Sequence, residues 1–229
     1  MKKKLAPILE VNNLSVFSNE NPLLQNISFN LKRYSILGII GESGSGKSLT
    51  ALSILNILKY KGLMQIGNII YNGDNITSYD SNQFRGFLKK EIGIIFQDPS
   101  SYLNPSMKCG DQMLEVINQK SSKDFLSEIL KKVKFSNPKE ILNRYPHELS
   151  GGQKQRIMIA MMIVKNSKII ICDEATSSLD ALIKKEIIEL LLDLKKEFEL
   201  SMIFISHNLK LIHKICDEVV FLKNGKLVE

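Results

Sequence analysis

Over the first thirty or so residues, apolar positions alternate with polar ones. Ile8, Val11, Leu14 and Val16, then Leu23, Ile27, Phe29 and Leu31, recur near the two-residue period of a strand with one covered face, which predicts short antiparallel strands. Further along, residues 36–40, 92–96, 169–172 and 202–205 form unbroken apolar runs, the pattern of central parallel strands covered on both faces. Helical stretches lie between them. The clearest places Ile187, Leu191, Leu194 and Phe198 on one face, behind Asp180 as N-cap. Strands alternating with helices predict an α/β fold with a parallel sheet. Asn72-Gly73 and Asn224-Gly225 mark hairpin turns, whose two central positions both need positive φ. From about residue 104 to 166 no strand pattern appears. That segment reads as several helices broken at Pro138 and Pro146, a helical lobe inserted into a single sheet domain spanning residues 1–229.

At 229 residues the chain suffices for one well-cored domain with such a lobe. Its 44% hydrophobic and 24% charged residues exclude a disordered chain. No apolar run approaches the roughly 20 residues that span a bilayer. Lys2, Lys3 and Lys4 resemble the start of a signal peptide, but Pro7, Glu10, Asn12 and Asn13 interrupt any apolar continuation. The expectation is a cytosolic protein that reaches a membrane only through a partner. Cys109, Cys172 and Cys216 are far apart and form no CxxC pair, so they read as reduced, buried thiols. The net charge of +7 suits polyanions such as ATP and equally a plain basic surface; because the Lys and Arg residues are scattered and not interleaved with aromatics, no nucleic-acid face is expected.

One loop carries specific chemistry. Gly41, Glu42, Ser43, Gly44, Ser45, Gly46, Lys47 and Ser48 match GxxxxGK[ST] between an apolar strand and the helical run that starts at Leu49. Glycines let backbone N–H groups curl around phosphates, and the helix aims its positive end at the same charge. Lys47 is expected to reach the β- and γ-phosphates and the Ser48 hydroxyl to ligate Mg²⁺; the nucleotide-binding stretch is taken as far as Leu49. A second element follows the strand at 169–172. Asp173 ends that strand, where open α/β sheets bind ligands, and can hold Mg²⁺ directly or through water. Glu174, one residue on, can orient and deprotonate an attacking water.

A phosphate loop alone does not separate kinases, GTPases, helicases and transport ATPases, although the NKxD motif of ordinary GTPases is missing. The discriminating string is Leu149-Ser150-Gly151-Gly152-Gln153, followed by an amphipathic helix at 154–164. Here nearly the whole chain resembles the ABC ATPases, whose signature is LSGGQ. The resemblance implies a phosphate-loop NTPase (RecA-like) α/β core with an N-terminal antiparallel β subdomain and an inserted α-helical subdomain. It implies that Phe17 stacks on adenine, that Gln97 is the Q-loop glutamine and a metal-side contact, that Ser177-Ser178-Leu179-Asp180 is the D-loop, and that His207 is the switch histidine. It also implies that Ser150, Gly151, Gly152 and Gln153 cap a helix whose N-terminus meets the γ-phosphate on an opposing subunit.

Two stretches narrow the subfamily. The QDP…LNP segment at 97–105 and the YPHELSGGQ segment at 145–153 resemble those of oligopeptide, dipeptide and nickel import ATPases. The resemblance implies an importer ATPase at the cytoplasmic face of the cell membrane. Its partners would be transmembrane permease subunits, a second ATPase subunit and, indirectly, a solute-binding protein, and the groove after Gln97 would take a coupling helix. Departures are Ala175 where many members have proline, and Asn208 where aspartate is usual. The end at Glu229, before the extension of larger peptide-importer ATPases, suggests a short nickel-type or minimal subunit, or a truncated chain. Three rival readings stay open: a soluble ABC ATPase acting on nucleic acid or ribosomes, an ABC exporter or lipid-extraction ATPase, and, more remotely, a phosphate-loop kinase.

Overall fold

The structure, a computed structural model, describes residues 6–117, 122–177 and 179–228. Lys2, Lys3, Lys4 and Ser178, singled out above, lie outside the described residues. In chain order the elements are β1 (Pro7–Ser18), β2 (Asn21–Lys32), β3 (Ile36–Ile40), α1 (Lys47–Ile54), β4 (Met64–Tyr71), β5 (Asp74–Asn75), α2 (Ser81–Lys90) and β6 (Ile92–Ile95). There follow α3 (Cys109–Val116), α4 (Lys123–Lys132), α5 (Pro138–Asn143), α6 (Gly151–Val164), β7 (Ile169–Asp173), α7 (Ala181–Glu197), β8 (Ser201–Ser206), α8 (Leu209–Ile215), β9 (Glu218–Lys223) and β10 (Lys226–Val228). The chain divides into two compact units, one of Met1–Leu88, Ile171–Asp173 and Ser201–Glu229, the other of Lys89–Ile170 and Glu174–Leu200.

The first unit holds two sheets. One is antiparallel, in the order β2-β1-β4-β5. The expected short strands are in fact two strands of 12 residues each. The sequence pattern skips a beat between Val11 and Leu14, and there the β1–β2 register shifts by a bulge, with Asn13 and Asn26 both at φ 53°. The amides freed by the bulge are taken up crosswise: Asn13 N–H donates to Ser28 Oγ and Asn26 N–H to Ser15 Oγ, each at 2.9 Å. A broken alternation therefore marks one bent strand rather than two short ones. The other sheet runs β10-β9-β3-β8-β7, with β3 parallel to both β8 and β9. All five residues of β3 and all six of β8 are buried, as their unbroken apolar runs require. Both Asn-Gly pairs turn hairpins as expected, at φ 51° and 92° for Asn72-Gly73 and 48° and 74° for Asn224-Gly225.

The second unit is mainly helical. Among its described residues no strand occurs between 104 and 166. Pro138 and Pro146 stand at the boundaries between successive helices, as expected, and each opens one, Pro138 at the start of α5 and Pro146 at a 3₁₀ turn, where the missing N–H costs nothing. The helix expected at 154–164 begins three residues earlier, at Gly151, and is not amphipathic. Ile157, Met158, Ile159 and Ala160 are all buried in succession, because α3, α4 and α7 pack around α6. Arg156, nearly buried, bonds Glu186 at 2.7 Å and the Val133 carbonyl at 3.1 Å, tying α6 to α7 and to the end of α4. No described helix is long and apolar enough to cross a membrane.

The three cysteines are free. Burial pushes the Cys109 thiol up to about 11, and burial with Asp217 nearby pushes Cys216 up to about 12. Cys172 is raised as well, by burial first and then by Cys216 and Asp173. Raised thiols hold almost no thiolate at neutral pH. A disulfide reagent at pH 8 is therefore expected to label the native chain far more slowly than free cysteine, and all three thiols at once on denaturation. Fast labelling of any one of them in the native state would contradict this burial.

Candidate functional site

The phosphate-loop motif lies between β3 and α1 in the first unit. Gly44 and Gly46 hold φ of 78° and 107°, conformations that glycine adopts at no steric cost and residues with side chains rarely take. Gly46 is the N-cap of α1 and has no side chain to satisfy the helix's first amides, so they stay available to an anion. Lys47 is only 6% exposed, and its Nζ donates to the carbonyls of Gly41 at 2.9 Å and Glu42 at 2.7 Å, which curls the ammonium over the loop. Ser45 Oγ is buried and finds no hydrogen-bond partner among the described residues.

Ser48 Oγ donates to Asp173 Oδ1 at 3.1 Å. Two residues 125 positions apart, each expected from the sequence to hold Mg²⁺, are thus brought side by side. Both offer hard oxygen donors, and Mg²⁺ keeps most of its waters while taking one or two protein ligands, so the pair fits that ion. Among the described residues no group of three or more His, Cys, Asp or Glu side chains could form a larger metal cage.

The same unit places Phe17 near the end of β1, half-buried, opposite Pro22 on β2 and Met64 on β4. His207 is exposed just after β8. Asn208 caps α8 by accepting the Leu211 N–H at 3.1 Å, so asparagine performs the local work of the more usual aspartate.

The remaining sequence-predicted residues belong to the second unit. Glu174, directly after Asp173, has φ 48°, a left-handed backbone that costs a residue with a side chain about 1–2 kcal/mol. Its carbonyl accepts both the N–H and the Oγ of Ser177, each at 3.0 Å. Gln97 is exposed after β6. Next to it Asp98 accepts from Ser101 Oγ at 2.6 Å and from Ser100 N–H at 2.9 Å, and these bonds, Ser101 first, hold its carboxyl below the usual range. Phe96 and Tyr102 stack at 3.7 Å across this turn.

In the LSGGQ string, Ser150 and Gln153 form a reciprocal capping box at the start of α6: Gln153 N–H donates to Ser150 Oγ at 3.3 Å, and Ser150 N–H to Gln153 Oε1 at 3.0 Å. A Cβ on Gly152 would lie 2.8 Å from Ile183 Cγ2, so α7 packs directly on Gly152. Asp180 caps α7, its Oδ1 accepting from Leu182 and Ile183 N–H.

Leu24, Leu222 and Gly225, outside the nucleotide-binding motifs, also touch the phosphate loop. Only the Asn224-Gly225 dipeptide signalled anything in the sequence, and it signalled a turn.

A family model described as ABC transporter matches residues 24–177. The chain is 36% identical over 237 residues to the oligopeptide transport ATP-binding protein OppD of Bacillus subtilis (strain 168), an alignment covering 99% of this chain and 66% of that protein. It is 38% identical over 230 residues to the metal-staphylopine import system ATP-binding protein CntD of Staphylococcus aureus (strain NCTC 8325 / PS 47), covering 97% of this chain and 84% of that one. Among solved structures, cbiO1 from Clostridium perfringens, part of the ABC transporter complex cbiONQ, aligns with a TM-score of 0.83 at 29% identity, over 97% of this chain and 87% of that chain.

Proposed function

The chain belongs to the ABC transporter family, and from that membership we propose that it is the ATP-hydrolysing subunit of a membrane importer for a small solute of the peptide or metal-chelate class. As an ABC ATPase it binds ATP. The observation that carries the importer reading is the similarity, over 97% of this chain or more, to ATP-binding proteins of oligopeptide transport and metal-staphylopine import.

In the proposed mechanism the phosphates lie in the loop Gly41–Ser48, with the Lys47 ammonium leaving its carbonyl partners for the β- and γ-oxygens. Phe17 stacks on the adenine. Ser48 and Asp173 are the residues that would hold Mg²⁺, with Gln97 beside it, and the ion would spread the negative charge of the β- and γ-phosphates. Glu174 accepts a proton from the attacking water, and His207 donates a hydrogen bond to the γ-phosphate as charge builds there. Ser150, Gly151, Gly152 and Gln153, with Asp180, face the nucleotide of a second ATPase subunit, so loss of the γ-phosphate releases the bridge and opens the dimer. Residues 1–229 act as one nucleotide-binding domain with the helical lobe at 104–166. Permease subunits hold it at the cytoplasmic face of the membrane, and a solute-binding protein delivers the cargo to them.

A pull-down of this chain from gently solubilised native membranes, with Mg-ATP present, tests the assignment. Recovery of multi-span proteins together with a second ATPase is expected. Recovery only from the soluble fraction, with ribosomes or nucleic-acid factors, would retain the ATPase and refute the importer.

A further inference from the structure

The β9–β10 hairpin lies against the back of the phosphate loop. Strand β9 runs parallel to β3 with Phe221 opposite Ile40, so the next residue, Leu222, comes level with Gly41 where the loop begins. A Cβ on Gly41 would meet the Leu222 carbonyl oxygen at 2.1 Å, and one on Gly46 would meet Leu24 Cδ2 at 2.4 Å and Leu222 Cδ2 at 3.3 Å. Leu24 and Leu222 are themselves almost fully buried. At the hairpin tip, Gly225 N–H donates to the Ser45 carbonyl at 3.1 Å, and the Gly225 carbonyl accepts from Gln25 N–H at 2.7 Å. Gly225 holds φ 74°, and a Cβ there would lie 2.3 Å from the Leu23 carbonyl oxygen.

We infer that Gly225 is a positioning residue for nucleotide phosphate, acting through the peptide plane between Ser45 and Gly46. In a trans peptide the C=O and N–H point in opposite directions. Fixing the Ser45 carbonyl outward onto Gly225 therefore turns the Gly46 N–H to the other side, into the concavity of the loop. The second bond, to Gln25, anchors the clamp in the antiparallel sheet, so the loop is braced from β2 through the hairpin. No side chain fits between these backbones, which is why the position is glycine. The inference rests on the reading of Gly41–Ser48 as the phosphate site.

Gly73 provides a matched control. It is the second residue of the other Asn-Gly hairpin, at φ 92°, and a Cβ there would meet nothing within 4 Å. Gly73→Ala and Gly225→Ala are compared for thermal midpoint, affinity for a fluorescent ATP analogue and steady-state hydrolysis, at a temperature where both are folded. Gly73→Ala is expected to lose stability and keep the wild-type affinity. Gly225→Ala is expected to weaken binding roughly three- to tenfold, the worth of one backbone hydrogen bond, raising KM and leaving kcat. Equal affinity in the two variants would overturn the inference. Hydrogen exchange on the wild-type chain gives a second reading that does not depend on a variant folding. Adding Mg-ATP should slow exchange at Gly225 and Gln25 but not at Gly73, and an unchanged Gly225 amide would refute the clamp. A wild-type chain that binds no ATP would instead overturn the phosphate-site reading beneath it.

Discussion

Replacing Lys47 with alanine is expected to remove measurable ATP binding while the chain stays folded. Lys47 is almost wholly hidden from solvent and its ammonium donates to the carbonyls of Gly41 and Glu42, so its charge is held against the backbone of the loop. Bonds to a charged partner contribute about 1.5–3 kcal/mol each. Losing two such bonds to phosphate costs about 3–6 kcal/mol, or roughly a hundredfold to ten-thousandfold in affinity. Arginine is expected to restore little, because its planar fork does not match the compact ammonium that the loop encloses. Titration of the variant with a fluorescent ATP analogue checks this; tight binding retained without Lys47 would refute its role.

The other large effect concerns turnover and not binding. Glu174→Gln keeps the shape and hydrogen-bonding reach of the side chain and removes its basicity. Hydrolysis should fall by about 10²–10⁴, the usual worth of a positioned base, with ATP affinity unchanged and ATP-bound dimer accumulating. The left-handed backbone at Glu174, braced by both bonds from Ser177, fixes where the carboxylate starts from. Phosphate release measured on the purified variant decides the matter: a wild-type rate would remove Glu174 from the chemistry.

The parts of the site that the sequence made legible are those governed by local chemistry. Glycines at fixed spacing before Lys47 announce a loop of unusual backbone, and Gly44 and Gly46 hold positive φ there. The apolar run at 169–172 announces a buried strand ending in Asp173, and Ser48 meets it there. Asp180 and Ser150 are caps because an oxygen close to the backbone suits a helix start wherever it falls. What escaped depends on residues far apart in the chain. The skip between Val11 and Leu14 has two local readings, and only Ser28 and Ser15, across the ladder, make it a bulge within one long strand. The helix behind the signature looks two-faced until α3, α4 and α7 cover it on several sides. The backing of the phosphate loop by Leu222 and Gly225 joins stretches at opposite ends of the chain, and no spacing rule connects them.

The most direct measurement is an experimental structure of the Glu174→Gln variant with Mg-ATP. The β- and γ-phosphates are expected against the backbone of Gly41–Ser48 and the Lys47 ammonium, with the metal beside Ser48 and Asp173. Nucleotide bound elsewhere, or a metal that touches neither residue, would contradict this assignment.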